Sequence, residues 1–395
     1  MEVYVMKKLS DAVMRVPPSG TMTILDAAKA LERKGVSVIH LDVGEPHFDT
    51  PPEIKDAAIK ALENGYTKYT PSRGILELRR AIISEYNSKY NLELSAEKNI
   101  IITPGAKFSV YAAILSILGF SEHAIILTPT WVSYWAPMAF VNAQIREVNV
   151  MLGSDNFEEK LKESVNRDTK LLIYNSPNNP TGKILSKNEL KVIRDLCLDY
   201  DFFIIADEIY NFLTYDNRDF ISILEFKEIQ DRTVVINGFS KKYAMTGWRL
   251  GYAVASSFII DQMVKIQQAA TTCPTSFIQF GALAAFNNRE KVEHYVNMMK
   301  KAYQENRDLV ISLLSEIEGV MYYPPEGAFY IFPDISAYTT DSKKFVMKLL
   351  EEKHVSTTPG SVFGAGGEGH IRISFATTKE KLKMGLHKIK ELINE

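Results

Sequence analysis

Cysteine is nearly missing from this 395-residue chain: Cys197 and Cys273 are the only two. Two thiols cannot build a disulfide framework, so the expected setting is a reducing cytoplasm and the fold must rest on burial. No apolar run is long enough to cross a bilayer, and the first residues lack the apolar core of a signal peptide. Charge of one sign is missing too, with 46 Lys and Arg against 48 Asp and Glu and a formal net charge of −2. That balance excludes a broad basic face for nucleic acid, so anions must be caught by local arginines. The seven histidines include no i, i+4 pair around a glutamate, and no metal site is expected. Low-complexity tracts and repeats are absent. What remains, 46% hydrophobic and 24% charged residues, suits a soluble globular enzyme of two or three folding units.

From residue 50 to residue 290, short β-branched runs alternate with amphipathic helical stretches. This alternation predicts an α/β fold with a mostly parallel sheet and right-handed crossovers. The charged helical stretch from Arg289 to Ile317 leads towards a second unit. The expected division is a large domain over 50–290 and a small domain formed by 1–49 and 291–395. Gly364 to Gly369 fits a G-x-G-x-x-G pattern, yet it precedes the strand-like Ile371–Phe375 and opens no helix. It reads as a flexible turn, not a dinucleotide site.

The most informative stretch runs from Asn237 to Tyr252. Lys241 follows the β-branched run Thr233–Ile236, and Arg249 lies eight residues further on. A lysine amine can form a Schiff base with an aldehyde, and an arginine fork can hold a phosphate. Aldehyde and phosphate on one ring describe pyridoxal 5′-phosphate (PLP), although a lone Lys/Arg pair reads far more readily as a surface lysine beside a structural arginine. Three further segments favour the cofactor. Asn175 to Gly182 stops the apolar run Leu171–Tyr174 abruptly, and Ser186 with Glu189 forms a capping box for the next helix. An asparagine there could bond a phenolic oxygen, or the segment could be a plain turn. The run Phe202–Ala206 ends in Asp207, which could pair with a pyridine nitrogen or cap a helix, and Tyr210 could reach a ring oxygen. Asn99 to Lys107 reads as strand, small-residue turn and helix N-terminus, where backbone N–H groups attract phosphate.

In this order the segments resemble the class I aminotransferases, PLP enzymes of fold type I, from about Ser19 to the C-terminus. The resemblance implies a large domain with a mostly parallel seven-stranded sheet flanked by helices, plus a smaller α+β domain. Lys241 matches the catalytic Schiff-base lysine. Gly105, Ala106, Lys107, Ser240 and Arg249 match the phosphate cradle, and Trp131 matches the ring-stacking aromatic. Asn179 and Tyr210 match partners of the ring oxygen, and Asp207 the partner of the ring nitrogen. Tyr69 resembles a tyrosine that reaches the neighbouring subunit's phosphate, which implies a homodimer with shared active sites; the stretch Thr271–Ser276 would approach that interface. Arg372 matches the arginine for the substrate α-carboxylate; Gly44, Trp131 and Asn179 would also border the substrate. Three positions depart from the common pattern: His47 replaces an acid, Gly105-Ala106 replaces a Gly-Gly or Ser-Gly pair, and Gly238 stands where some members have serine. None removes a group the chemistry needs.

The implied activity is transamination, with an amino acid and a 2-oxo acid as small-molecule partners. The chain looks most like aspartate aminotransferases of the bacterial and archaeal type. In those enzymes a lysine in the phosphate turn can serve the side-chain carboxylate, and Lys107 occupies that place, though it could equally be solvated or phosphate-neutralising. Thr21 matches a second residue near that carboxylate. Relatives accepting prephenate carry a basic residue where this chain has Pro17, which argues against prephenate. Aromatic or broad-range transamination, and a PLP-dependent C–S β-lyase on the same fold, are the alternatives. A regulator fused to this fold would need a helix-turn-helix extension, and only about twenty residues precede the first motif.

Overall fold

The computed structural model describes residues 9–16, 20–151 and 156–395; Pro17, Ser19 and the side chain of Thr21 lie outside the described residues. Its centre is a seven-stranded sheet. In chain order the strands are β1 (Ile100–Thr103), β2 (His123–Thr128), β3 (Gln144–Asn149), β4 (Thr169–Asn175), β5 (Phe203–Asp207), β6 (Thr233–Gly238) and β7 (Gly251–Val254). They lie side by side as β1-β7-β6-β5-β4-β2-β3, and β7 alone runs antiparallel to its neighbours.

The period-2 alternation of strands explains why these runs are apolar on both faces. Ile101, Leu171, Ile173, Ile205, Val234 and Ile236 face one layer, packed on helices Ala106–Ile117 and Ser257–Ala270. Ile100, Ile102, Leu172, Ile204 and Val235 face the other, with helices Leu76–Tyr90 and Lys187–Tyr200. Cys197 is buried in that second layer. The capping box at Ser186 forms as expected: its side chain accepts from Glu189 N and the Glu189 carboxylate accepts from Ser186 N.

The 26-residue helix Arg289–Leu314 leads away from this sheet. Asn306 on it donates to Phe375 O at 3.0 Å and Thr377 O at 2.7 Å, which joins it to a second, antiparallel sheet. In that sheet Ile371–Ser374 runs between Thr358–Pro359 and Tyr330–Ile331. The N-terminal strand Ile39–His40 pairs in parallel with Val355–Ser356. The glycine-rich stretch is a turn that leads into Ile371–Ser374 and opens no long helix, and within it Ala365 N donates to Glu147 Oε2 at 2.6 Å on edge strand β3.

No helix among the described residues is long and apolar enough to cross a membrane, and those residues contain no cluster of three or more metal-ligating side chains.

Candidate active site

In a mostly parallel sheet, side chains at the carboxyl ends of the strands converge on one edge. Here a cavity of about 320 Å³ opens above β4, β5 and β6. Gly44, Ala106, Lys107, Trp131, Asn179 and Asp207 border it, as do Tyr210, Ser240, Lys241, Arg249 and Arg372. Of the expected site residues, Gly105 lies just behind the wall against Arg249, and Tyr69 stands apart, 85% exposed.

Lys241 sits on the single helical turn Phe239–Lys242 that follows β6. Its amine donates to Gly44 O at 2.5 Å. Although the residue as a whole is part-exposed, its ammonium is enclosed. Burial pulls its pKa down to about 8; Arg372 and Arg249 push the same way, while Glu45 and Asp207 oppose them.

Asp207 ends β5 on the cavity floor. Burial raises its carboxyl to about 6, against the opposing effects of hydrogen bonds from Tyr134 Oη (2.7 Å) and Ile209 N (3.1 Å) and of the Lys241 charge. It is therefore mainly ionised at neutral pH, the state suited to meeting a ring N–H⁺. The alternative of a helix cap does not hold, because no helix follows directly.

Across the cavity, helix Ala106–Ile117 begins beside Arg249. Gly105 has φ 86°, and a Cβ there would lie 2.5 Å from Arg249 Nη2. Only glycine allows that turn and that approach. Arg249 itself adopts φ 54°, with Nη1 donating to Thr246 O at 2.7 Å. The Lys107 ammonium lies 5.6 Å from the Trp131 ring centre, and burial together with Arg249 lowers its pKa. These cations and free N–H groups form an anion cradle.

On the opposite wall Arg372 is buried. It donates to Asn179 Oδ1 at 3.0 Å, to Thr358 Oγ1 at 3.1 Å and to Asp42 O, while its Nε has no partner. Asn179 is held in turn by its N–H to Asn175 Oδ1 at 2.7 Å.

Amine, buried carboxylate and anion cradle around one cavity fit PLP. The family model of class I and II aminotransferases matches residues 36–389. The chain belongs to this family. It is accordingly a PLP-dependent aminotransferase. It is 40% identical to an aspartate aminotransferase of Pyrococcus abyssi over 98% of both chains. It is also 37% identical to an aromatic-amino-acid aminotransferase of Thermococcus litoralis, again over 98% of both. A solved aspartate aminotransferase of Thermus thermophilus with maleate superposes with a TM-score of 0.92 at 35% identity, covering 98% of this chain and 100% of that one.

Beyond the expected set, Asn175 and Tyr330 border the cavity, and Tyr134 supports Asp207 from behind its wall. Tyr330 Oη lies 2.8 Å from Tyr210 Oη, and its ring centre is 4.6 Å from the Arg372 guanidinium. Asn175 opens one of the motif segments and Tyr134 lies three residues beyond Trp131, but only the fold shows that both bond to Asp207, through its backbone carbonyl and Oδ2 respectively.

Proposed function

We propose that this aminotransferase takes L-aspartate as amino donor and 2-oxoglutarate as acceptor. The observation that carries the reading is the pair of cationic side chains on one cavity, Arg372 and Lys107. A dicarboxylic substrate supplies one carboxylate for each. Arg372 presents a rigid fork to the α-carboxylate, and Lys107 a point charge to the distal one. The maleate in the Thermus enzyme's solved structure, a four-carbon dicarboxylate, supports the same substrate class.

In this reading Lys241 carries the cofactor, and Asp207 holds the proton on its ring nitrogen. Asn179 and Tyr210 hold the ring oxygen, Trp131 covers the ring, and Ser240, Arg249 and the Gly105–Lys107 turn hold the phosphate. Bound PLP supplies an aldehyde that takes the amino group and a ring that withdraws electrons from Cα. Lys241, once displaced by substrate, moves the Cα proton, and its pKa of about 8 suits that work near neutrality. Gly44 lines the carboxylate side. Its backbone leaves room for Tyr330 Oη, which a Cβ at this position would meet at 2.4 Å.

The proposal includes a large domain over 50–290, a small domain over 1–49 and 291–395, a homodimer in which Tyr69 serves the partner's cofactor, and a cytoplasmic setting. A second reading, aromatic transamination, draws on Met22 and Leu25 at the same cavity and on the Thermococcus relative.

The test is the visible spectrum of the PLP-loaded protein before and after L-aspartate, with no oxo acid present. Loss of the yellow band, restored by 2-oxoglutarate, is expected. A yellow protein that ignores aspartate but bleaches with phenylalanine would replace this substrate with the aromatic one.

A further inference from the structure

A second and larger cavity, about 420 Å³, lies on the other side of residues 237–242. Ser240 and Lys241 border the cofactor cavity, whereas Asn237, Phe239 and Lys242 border this one. Five basic side chains line it against three acidic ones, although the whole chain is net negative. Lys242 is neutralised locally by Glu293 at 2.7 Å and Glu85 at 3.7 Å. Among the described residues Lys89, Lys300 and the exposed Arg289, on the same walls, have no such ion pair, and neither has the acidic Asp219.

The Lys89 ammonium lies 5.1 Å from the Tyr90 ring centre. Tyr90 also lines the cavity, and its hydroxyl is buried without a hydrogen-bond partner. A buried phenol with no acceptor is costly and can donate to an anion. Glu208 could in principle compensate the lysines, since its charge reaches Lys89 and Tyr90. Burial pushes it up to about 8, however, so at neutral pH it is mostly protonated. Burial also lowers the pKa of Lys300; Glu293 opposes this, and Lys89 and Lys242 add to it. Like charges held together in this way are stabilised by a bound counter-charge.

We propose that this cavity is a second anion site, taking a small dianion of carboxylate or phosphate type between Lys89 and Lys300 with the Tyr90 hydroxyl donating to it. Five basic against three acidic side chains leave an excess of two positive charges to match a dianion, and the volume falls within the roughly 300–1,000 Å³ of small-ligand pockets. Because Lys242 follows Lys241 directly, the occupant borders the turn that carries the catalytic amine.

The experiment is calorimetric titration of the PLP-loaded enzyme with inorganic phosphate and, separately, with succinate, at matched ionic strength. Wild type is compared with the Lys89→Ala/Lys300→Ala double variant. At least one probe should bind wild type about tenfold tighter, a difference of about 1.4 kcal/mol, while turnover without probe is equal in both proteins. Loss of phosphate binding alone identifies a phosphate site, and loss of succinate binding alone a carboxylate site. Succinate held in the active site contributes equally to both proteins and cancels. Matching titrations for both probes would overturn the site. If the double variant does not fold, amine acylation of wild type read by mass spectrometry decides the matter. Either probe should slow labelling of Lys89 and Lys300, and unchanged labelling with both counts against the proposal.

Discussion

Proton occupancy at Lys241 sets the pH behaviour expected of the enzyme. A free lysine is protonated until about pH 10.5, whereas the buried one changes near pH 8. Only the neutral amine attacks an aldehyde. Cofactor attachment to the PLP-free protein should therefore speed up about tenfold per pH unit below 8 and level off above it. Stopped-flow absorbance at several pH values checks this, and a midpoint near 10 would show that the amine is not desolvated. Glu208 makes a separate prediction about stability. Its carboxyl ionises near 4.5 when unfolded and near 8 when folded. The unfolded chain therefore releases its proton first as pH rises, and stability present below 4.5 is lost by the time pH passes about 8. Glu208→Gln keeps an acceptor for Ser222 but removes this loss. The variant should gain on wild type across that window, by on the order of a few kcal/mol at 1.4 per pKa unit. Melting temperatures at pH 5 and pH 8 measure it; a gap that does not change with pH would mean that Glu208 is ionised throughout. Asp207 and Lys241 stood out in the sequence because each follows an apolar run, whereas Trp131, Ser240, Arg372 and Gly44 were marked only by the family resemblance. Tyr330 did not stand out, since it shares the antiparallel sheet with Arg372 and reaches Tyr210 only where that sheet packs over the ends of the parallel strands.

Each element delivers one part of the site, and the joints between elements are tight. Strand β7 is the clearest case. A Cβ on Gly251 would come within 2.2 Å of Ala106 N and 2.6 Å of Gly105 C, the backbone of the anion turn. Gly251→Ala must push that turn away from the sheet, because backbone cannot rotate aside as a side chain can. The expected result is a folded protein whose PLP dissociation constant rises about tenfold or more. Equilibrium dialysis reads it, and unchanged affinity would show that the turn yields without cost to the cradle. Strand and helix positions were largely legible, since β-branched runs and the Ser186 capping box act locally. The antiparallel course of β7 was not, because a four-residue apolar strand carries no mark of its direction.

At the scale of the whole molecule, the segment from residue 59 to residue 69 carries marked apolar exposure. Ile59 and Leu62 on the helix Pro52–Glu63, then Tyr66 and Tyr69, are all exposed. Gln279 Nε2 donates to Thr70 Oγ1 at 3.0 Å, and Ser276 Oγ bonds Tyr66 O, so the segment is held although uncovered. Large apolar patches on a fixed surface mark association sites. Sedimentation should show a dimer, and Tyr69→Phe should weaken PLP binding several-fold without altering sedimentation. A monomer that retains full PLP affinity would remove Tyr69 from the site.

Local chemistry in the chain was sufficient for the parallel α/β layering, the strand-end placement of Asp207 and Lys241, and the glycine turn before Lys107. Each follows from side-chain periodicity or from backbone freedom within a few residues. Other features belong to tertiary structure alone: the Tyr134 bond to Asp207, the Tyr210–Tyr330 pair, the lowered pKa of Lys241, and the separate walls occupied by Lys241 and Lys242. These depend on which distant segments share a cavity and how far water is excluded from it, and burial and electrostatics of that kind arise only when the whole chain has packed.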